Sequence, residues 1–247
     1  MPDTRFIIGM HAIQSALEHD PESIRQVWLE HARRDSQAQQ IVQLTRTHRI
    51  PLQRVTKAEL DGMVNGRHQG GVAEATQQPA LHEADLAILL DKLAQPAFLL
   101  VLDGVQDPHN LGACLRTADA AGVHAVIAPR DKACELTSTV RKVACGAAET
   151  VPFVQVTNLV RSLKSLQAAG IWVIGTEIGA PTSLYDADLT GSLALVLGAE
   201  GKGIRRLTRE ACDSLVQLPM SGTVQSLNVS VTAGICLYEA VRQRTAP

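Results

Sequence analysis

The sequence predicts an α/β protein in which a small N-terminal α/β domain precedes a larger domain built on a parallel sheet. The second part of the chain contains near-continuous apolar runs, the pattern of parallel strands buried on both faces. Helix-like stretches lie between most of these runs, and strands that alternate with helices indicate a doubly wound parallel sheet. The predicted strands are 97–102, 125–128, 151–156, 171–176, 193–197 and 215–218, and the predicted helices are 111–121, 138–148, 159–169, 204–212 and 229–242.

The first 76 residues predict a separate small domain. Ala38, Ile41 and Leu44 form an apolar stripe at helical spacing, with Ser36 as the predicted N-cap. A polar, proline-containing stretch follows at 76–84, and such a stretch without amphipathic period is typical of a linker. We therefore divide the chain into a domain at 1–76, a linker at 77–95 that contains a short helix, and a domain at 96–247. The first domain's predicted strands are 24–29, 52–55 and 71–75, and its predicted helices are 36–49 and 57–64.

The composition limits the class of protein. The 247 residues carry a net charge of -2, so any RNA-binding surface must be local. Aromatic residues make up only 3%, which leaves few rings for base stacking. The sequence shows no secretory signal, and its apolar runs are far shorter than the ~20 residues of a membrane helix. Five cysteines without a C-x-x-C pair favour reduced thiols in the cytoplasm, and the dispersed histidines predict no metal site.

Three polar turns predict one ligand site. Each lies between an apolar strand-like run and a helix-like run, in the segments 102–118, 195–204 and 218–230. In an open parallel sheet such turns meet at the carboxyl ends of the strands, where these folds bind ligands. The turns carry more polar groups than a scaffold requires, and Leu218 and Met220 would add an apolar wall. The candidate functional residues are Asn110, Arg116, Glu200, Ser226 and Asn228.

Each turn also has a purely structural interpretation. Asn110 would cap the helix that begins at 111, and Ser226 or Asn228 would cap the last helix. Arg116 is either a solvated side chain or a cation for a phosphate or a reacting oxygen. The glycines of 198–203 match neither a P-loop nor a dinucleotide fingerprint, and they suit a turn with positive φ. Glu200 favours a ligand, because no packing argument requires a carboxylate there.

The same segments carry a family resemblance. Residues 107–112 with 116–118, then 198–201, then 226–230 resemble motifs 1, 2 and 3 of the SpoU branch of the SPOUT methyltransferases. Residues 9–13 and 68–72 resemble the ends of that family's small substrate-binding domain. Residues 143–149 and 239–244 are similar to its bacterial 23S rRNA guanosine-2'-O-methyltransferases. The resemblance covers essentially the whole chain.

The resemblance implies a fold, a cofactor and an assembly. The catalytic domain of the family is a parallel sheet whose C-terminal segment forms a deep trefoil knot, and the knot holds S-adenosylmethionine. Family members are homodimers through this domain, and Arg116 would then serve the neighbouring subunit's site. No metal is needed. The cofactor-binding residues implied here are Thr176, Gly198, Leu218, Met220 and Leu227.

The implied reaction is methylation of a guanosine 2'-hydroxyl in the peptidyl-transferase region of 23S rRNA. Positioning and charge stabilisation at the attacking oxygen would supply most of the catalysis. Arg116 would stabilise that oxygen, since arginine is effectively always protonated. Asn110 would orient Arg116 or a phosphate, and Glu200 would hold the arginine or accept a hydrogen bond from the nucleotide. Ser226 and Asn228 would fix the ribose and the cofactor loop.

Two other functions stay open, namely a tRNA guanosine-2'-O-methyltransferase of the same family and a non-catalytic RNA-binding factor in ribosome assembly. The glycine spacing argues against a dinucleotide dehydrogenase. The substrate would be naked 23S rRNA or an assembly intermediate. The side chains predicted to meet RNA are Arg33, Arg34, Arg46, Arg67 and His68 in the first domain, and Arg205, Arg206 and Arg209 in the second.

Overall fold

The structure is a computed structural model that describes residues 4–65, 67–76 and 80–245. The chain divides into two compact units. One unit comprises Met1–Pro79 together with Arg141–Thr150, and the other comprises Ala80–Val140 and Val151–Pro247. This division differs from the predicted one in that Arg141–Thr150, placed by the sequence in the domain at 96–247, groups with the first unit.

The first unit is built on a mixed four-stranded sheet. The strands lie in the order β1-β4-β2-β3, with β4 antiparallel to β1 and β2, and with β2 parallel to β3. Apolar side chains such as Ile13, Leu29 and Ile41 are fully buried and form its core. Its elements are β1 (Thr4–Ile8), α1 (Met10–His19), β2 (Ile24–Glu30), α2 (Ser36–Thr47), β3 (Leu52–Val55), α3 (Lys57–Met63) and β4 (Gly71–Thr76).

Side-chain caps fix where two of these helices begin. Asp35 caps α2, since its carboxylate accepts a hydrogen bond from the Ala38 amide at 3.2 Å, so the predicted cap at Ser36 was wrong by one residue. Thr56 and Glu59 form a capping box at the start of α3. The sequence prediction missed β1 and α1 altogether.

The second unit is built on a seven-stranded sheet in which every pair of neighbours is parallel. The strand order is β7-β6-β5-β10-β8-β11-β9. The predicted parallel sheet is confirmed. Its elements are α4 (Glu83–Asp91), β5 (Phe98–Asp103), α5 (Pro108–Ala120), β6 (Ala125–Pro129), β7 (Phe153–Val156), α8 (Leu159–Ala168), β8 (Trp172–Thr176), β9 (Thr182–Ser183), β10 (Leu193–Gly198), α9 (Arg206–Glu210), β11 (Ser214–Gln217) and α10 (Val229–Thr245). Between β6 and β7, helix α6 (Ser138–Ala144) begins in the second unit and ends in the first, and α7 (Ala147–Thr150) belongs to the first unit.

Two predicted helices are shorter than expected. The helix predicted at 138–148 breaks between α6 and α7, where Cys145 and Gly146 have φ values of 53° and 101°. The helix predicted at 204–212 is confined to α9, because the preceding residues form a tight turn. Among the helices that the structure describes, none is long and apolar enough to cross a membrane.

Candidate active site

The three polar turns leave the large sheet at one edge. Strands β5 and β10 are adjacent and parallel, and their last residues, Asp103 and Gly198, are partners in the register. Strand β8 pairs with β10 on one side and with β11 on the other. The turns that follow β5, β10 and β11 therefore leave the sheet at the same edge, where open parallel sheets bind ligands.

Hydrogen bonds between side chains join these three turns. Asn110 Nδ2, in the first turn of α5, donates to Glu200 Oε2 at 3.3 Å. Asn228 Nδ2 donates to Asn110 Oδ1 at 2.9 Å, across 118 residues of sequence. Asn228 Oδ1 accepts from the Ser230 hydroxyl at 2.6 Å and from the Ser230 amide at 2.9 Å. The structure thus brings together Asn110, Glu200 and Asn228, three of the five predicted site residues; we call these side chains with Ser230 the amide network.

The sequence suggested Asn110 as the cap of α5, but the structure shows that the cap is Asp107. Asp107 Oδ1 accepts a hydrogen bond from the Asn110 amide at 2.9 Å, and Pro108 occupies the first helical position. The side chain of Asn110 is therefore not used to cap its own helix and reaches Glu200 and Asn228. Asn228 does act as a cap, since its Oδ1 binds the amide of the second residue of α10.

A buried carboxylate holds the second turn against the first. Asp103 is fully buried, and it accepts hydrogen bonds from the amide of Arg205 at 2.8 Å and from its Nε at 2.6 Å. A second guanidinium nitrogen of Arg205 also pairs with this carboxylate. The sequence prediction missed Asp103, although a lone acidic residue at the end of an apolar strand is a readable signal.

The predicted phosphate contacts of the second unit each have an acidic partner. Arg205 pairs with Asp103, Arg206 with Glu210 at 2.8 Å, and Arg209 with Glu177 at 2.8 Å. Their side chains nevertheless stay between 42% and 68% exposed, so the cations remain accessible. Arg205 is bound to Asp103 and so connects the second turn to the first, and a phosphate would have to compete with Asp103 for its guanidinium.

The glycines of the second turn are required by its geometry, as the structural interpretation of this segment predicted. The amide of Gly203 bonds back to the Ala199 carbonyl at 2.9 Å, and Gly201 and Gly203 have φ values of 73° and 65°. A Cβ added to Gly198 would lie 1.9 Å from the carbonyl carbon of Gly203. The turn folds tightly onto the end of β10 and presents Glu200, which is exposed.

The remaining predicted residues differ in their exposure. Arg116 on α5 and Ser226 before α10 are exposed. The Thr176 hydroxyl donates to the Val196 carbonyl at 3.3 Å, which ties the end of β8 to β10. Met220 is 38% exposed. The predicted cofactor residues that are half-buried are Thr176, Gly198, Leu218 and Leu227.

Burial makes two cysteines of the second unit unreactive. Cys114 on α5 and Cys236 on α10 are fully buried, as predicted for helix-packing thiols. Burial raises the pKa of both thiols to about 12, so neither is a nucleophile at neutral pH. Within the described part of the chain, no group of three or more His, Cys, Asp and Glu side chains is placed to hold a metal ion.

Comparison with known proteins places the chain in a family. The SpoU rRNA Methylase family matches residues 97–238, and a second domain family described as RNA 2'-O ribose methyltransferase substrate binding matches residues 6–80. A protein of Pseudomonas putida named 23S rRNA (guanosine-2'-O-)-methyltransferase RlmB is 54% identical over 238 residues, 96% of each chain. A protein of the same name from Coxiella burnetii is 49% identical over 247 residues, all of this chain and 99% of the other. The chain belongs to the SpoU rRNA methylase family.

Solved structures agree with this assignment. The SpoU methyltransferase AviRb from Streptomyces viridochromogenes, solved in complex with the cofactor AdoMet, has a TM-score of 0.79 and 27% identity, over 98% of this chain and 90% of the other. The A. aeolicus TrmH/SpoU tRNA modifying enzyme has a TM-score of 0.55 and 31% identity, over 66% of this chain and 82% of the other. The likeness to AviRb thus spans nearly the whole chain, whereas the likeness to the tRNA enzyme spans two thirds of it.

Proposed function

We propose that this protein transfers a methyl group from S-adenosylmethionine to the 2'-hydroxyl of a guanosine in 23S rRNA, in the peptidyl-transferase region. The amide network carries the proposal, because it unites the family's three sequence motifs at the ligand edge of the sheet. The curated relatives named for this reaction align over nearly the whole chain. We place the reaction in the cytoplasm, where this RNA would be met.

We infer that the cofactor binds at the ends of the strands that carry these turns. Half-buried Leu218 and Leu227 and the accessible Met220 supply an apolar wall beside polar backbone, the mixture that cofactor pockets use. Gly198 and Thr176 lie at the ends of β10 and β8 and would hold the same molecule through their backbone. S-adenosylmethionine supplies a methyl group on a sulfonium when bound. We assign its binding to these five residues.

The chemistry left to the protein is positioning and charge stabilisation. A ribose hydroxyl is a weak nucleophile, so its oxygen must lose a proton, finally to water, as its bond to the methyl carbon forms. The bond from that carbon to the sulfonium sulfur would break at the same time, which leaves a neutral thioether. Arg116 would place a permanent positive charge beside that oxygen. Glu200 would accept a hydrogen bond from the nucleotide while Asn110 holds its other side. Ser226 would contact the ribose, and Asn228 would fix the cofactor loop to α10.

We further propose that the C-terminal part of the second unit forms a trefoil knot and that the protein is a homodimer through this unit. The strand order supports the knot, since β10 lies between β5 and β8, and β11 lies between β8 and β9. Exposed apolar side chains on α10 support the dimer, with Val231 at 49% and Tyr238 at 50%. In the dimer, Arg116 would act in the partner subunit's site.

A transfer assay tests the reaction. The protein is incubated with methyl-labelled S-adenosylmethionine and unmodified 23S rRNA, 16S rRNA or tRNA, and the label is then mapped. We expect label on a guanosine ribose of 23S rRNA. Label on tRNA alone, or on a base, would contradict the proposal, and binding without transfer would favour the ribosome-assembly factor.

A variant assay tests the role of Arg116. Arg116→Ala should abolish transfer and leave the affinity for S-adenosylmethionine unchanged, whereas Arg116→Lys should keep part of the rate because it keeps the charge. Arg161→Ala is the matched control, since Arg161 is a 69% exposed arginine on α8 of the same unit. Equal turnover in Arg116→Ala and the control would refute the role.

A further inference from the structure

The loop that leads into β4 holds one exposed side chain in an unusual backbone conformation. Gln69 has a φ of 51°, in the left-handed region, and it is exposed. Glycine adopts this conformation without cost, whereas a residue with a side chain is strained there. The next two residues, Gly70 and Gly71, show that glycine is used in this loop. A glutamine at position 69 therefore calls for an explanation other than the turn itself.

The surroundings of Gln69 force the loop into this shape. The His68 ring is 4% exposed, and its Nδ1 accepts from the Gly70 amide at 3.0 Å. Nε2 of the same ring must then carry the hydrogen, and it donates to Asp61 at 3.0 Å. The Gly70 carbonyl accepts from the Glu30 amide at 2.8 Å. Strain of this kind persists only where neighbouring contacts over-determine the backbone, and it concentrates at functional sites.

Close packing also fixes the backbone of this loop. A Cβ added to Gly70 would lie 2.6 Å from Cγ of Arg33, and one added to Gly71 would lie 2.8 Å from the sulfur of Met10. The amide of Gly9 bonds to the Gly71 carbonyl at 3.1 Å. Within residues 4–65, 67–76 and 80–245, no hydrogen bond uses the Gln69 side chain. Packing and hydrogen bonds thus hold the loop backbone in place. The exposed Gln69 amide lies beside Gly9, where its oxygen would be 3.7 Å from an added Cβ, and has no hydrogen-bond partner among the described residues.

The charges nearby suit a nucleic acid. Since β4 runs antiparallel to β1 and β2, its first residue lies at the end of the sheet where those two strands finish. The segment after β2 carries the exposed Arg34, and the residue before His68 is the exposed Arg67. Arg46 lies in the last turn of α2, about 15 Å along that helix from its start, so it is removed from this group.

We infer that Gln69 reads a base of the RNA substrate, with Arg34 and Arg67 binding the backbone phosphates on either side of it. A glutamine amide offers a donor and an acceptor side by side, which match the edge of an unpaired base. His68, which the sequence predicted to touch RNA, is buried and acts by shaping the loop. The inference rests on the proposed function for the identity of the RNA.

The test compares full-length variants on a 23S rRNA transcript. Gln69→Gly removes the amide and relieves the strain, so it should raise Kd and KM about tenfold or more while kcat at saturating RNA stays within about twofold. The melting temperature should stay equal or rise. Arg34→Ala should lower the slope of log Kd against log salt by about 1, and Gln69→Gly should not change that slope. Gln43→Ala, an exposed glutamine of α2, is the control.

The outcomes separate this inference from the proposed function. Wild-type protein that labels tRNA and not 23S rRNA overturns the proposed function, and the variants are then compared on that tRNA. Gln69→Gly that binds the methylated RNA within twofold of wild type overturns the inference. So does weaker binding that comes with a lower melting temperature, since the role would then be structural. Wild-type protein that binds none of the three RNAs overturns both.

Discussion

The Asn228 side chain makes two kinds of hydrogen bond, and Asn228→Asp removes one of them while it keeps the other. Its Oδ1 caps α10 by accepting from the Ser230 amide, and its Nδ2 donates to Asn110. Asn228→Ala removes both. Asn228→Asp keeps the acceptor for the cap but has no donor for Asn110, and it places that amide between two carboxylates, since Glu200 is on its other side.

The expected magnitudes differ between the two variants. Loss of the cap costs about 1 kcal/mol, and loss of the side-chain hydrogen bond costs about 1 kcal/mol more. Asn228→Ala should therefore lose about 2 kcal/mol, or about 4–8 °C in melting temperature for a protein of this size. In Asn228→Asp, a negative charge at the start of α10 contributes about 0.5 kcal/mol, which offsets much of the lost bond. Its melting temperature should fall by about 2 °C or less.

Activity should not follow stability in this pair. We expect kcat/KM for RNA methylation to fall about 100-fold in both variants, because the amide network sets the geometry of the site. Asn158 gives the matched control, since its Oδ1 caps α8 by accepting from the Arg161 amide at 3.0 Å. Asn158→Ala should lose about 1 kcal/mol and keep its turnover. Wild-type turnover in Asn228→Asp would refute the role of the network.

Three other perturbations have defined outcomes. Gly198→Ala should abolish cofactor binding measured by calorimetry, because its Cβ would lie 1.9 Å from the Gly203 backbone; unchanged affinity would contradict the geometry of the turn. Burial by itself would raise the pKa of Glu149, but the hydrogen bonds from Arg5 and the charge of Arg141 hold it below its ordinary 4.5. The stabilisation by ionised Glu149 is therefore complete above pH 4.5 and is lost as the pH falls through the lowered pKa of the folded state. Glu149→Gln should cost about 3 kcal/mol of unfolding free energy at pH 7. Denaturant titrations at several pH values should then show a smaller loss of stability in acid for the variant than for the wild type. Alkylation followed by mass spectrometry should modify the exposed Cys145 first and leave the buried thiols unmodified, namely Cys114 and Cys236.

Local pattern was sufficient for most of the fold. The apolar runs at 97–102 and 193–197 lie within one residue of β5 and β10, because strands buried on both faces are nearly continuous in apolar residues. Helix α1 was missed although Met10, Ile13 and Leu17 have helical spacing and are all buried. Strand β9 has only two residues and exists through its pairing with β11, which no local pattern records.

The candidate site was predictable in its residue types and not in its connections. Polar residues in turns after parallel strands indicated the edge, but Asp107 and Asn110 are equally good caps by composition and spacing. The structure assigns the cap to Asp107, and only then is Asn110 available to Asn228, 118 residues away. The burial of Asp103 depends in the same way on Arg205, which lies 102 residues further along the chain.

The segment Arg141–Thr150 shows most clearly why partners distant in sequence escape prediction. A charged residue near the end of a helix is usually solvated, yet the Glu149 side chain is only 6% exposed. Arg5, 144 residues earlier, donates to both of its oxygens at 3.0 Å and 2.5 Å, and Arg141 donates at 2.7 Å. Gly146 packs against Ser15 of α1, because a Cβ added to Gly146 would lie 3.0 Å from the Ser15 Cβ. The predicted helix is therefore interrupted between α6 and α7 at the point where Gly146 and Glu149 contact distant residues of the first unit. A buried carboxylate is stable only while both of its guanidinium partners stay in place, so these contacts fix the course of the segment.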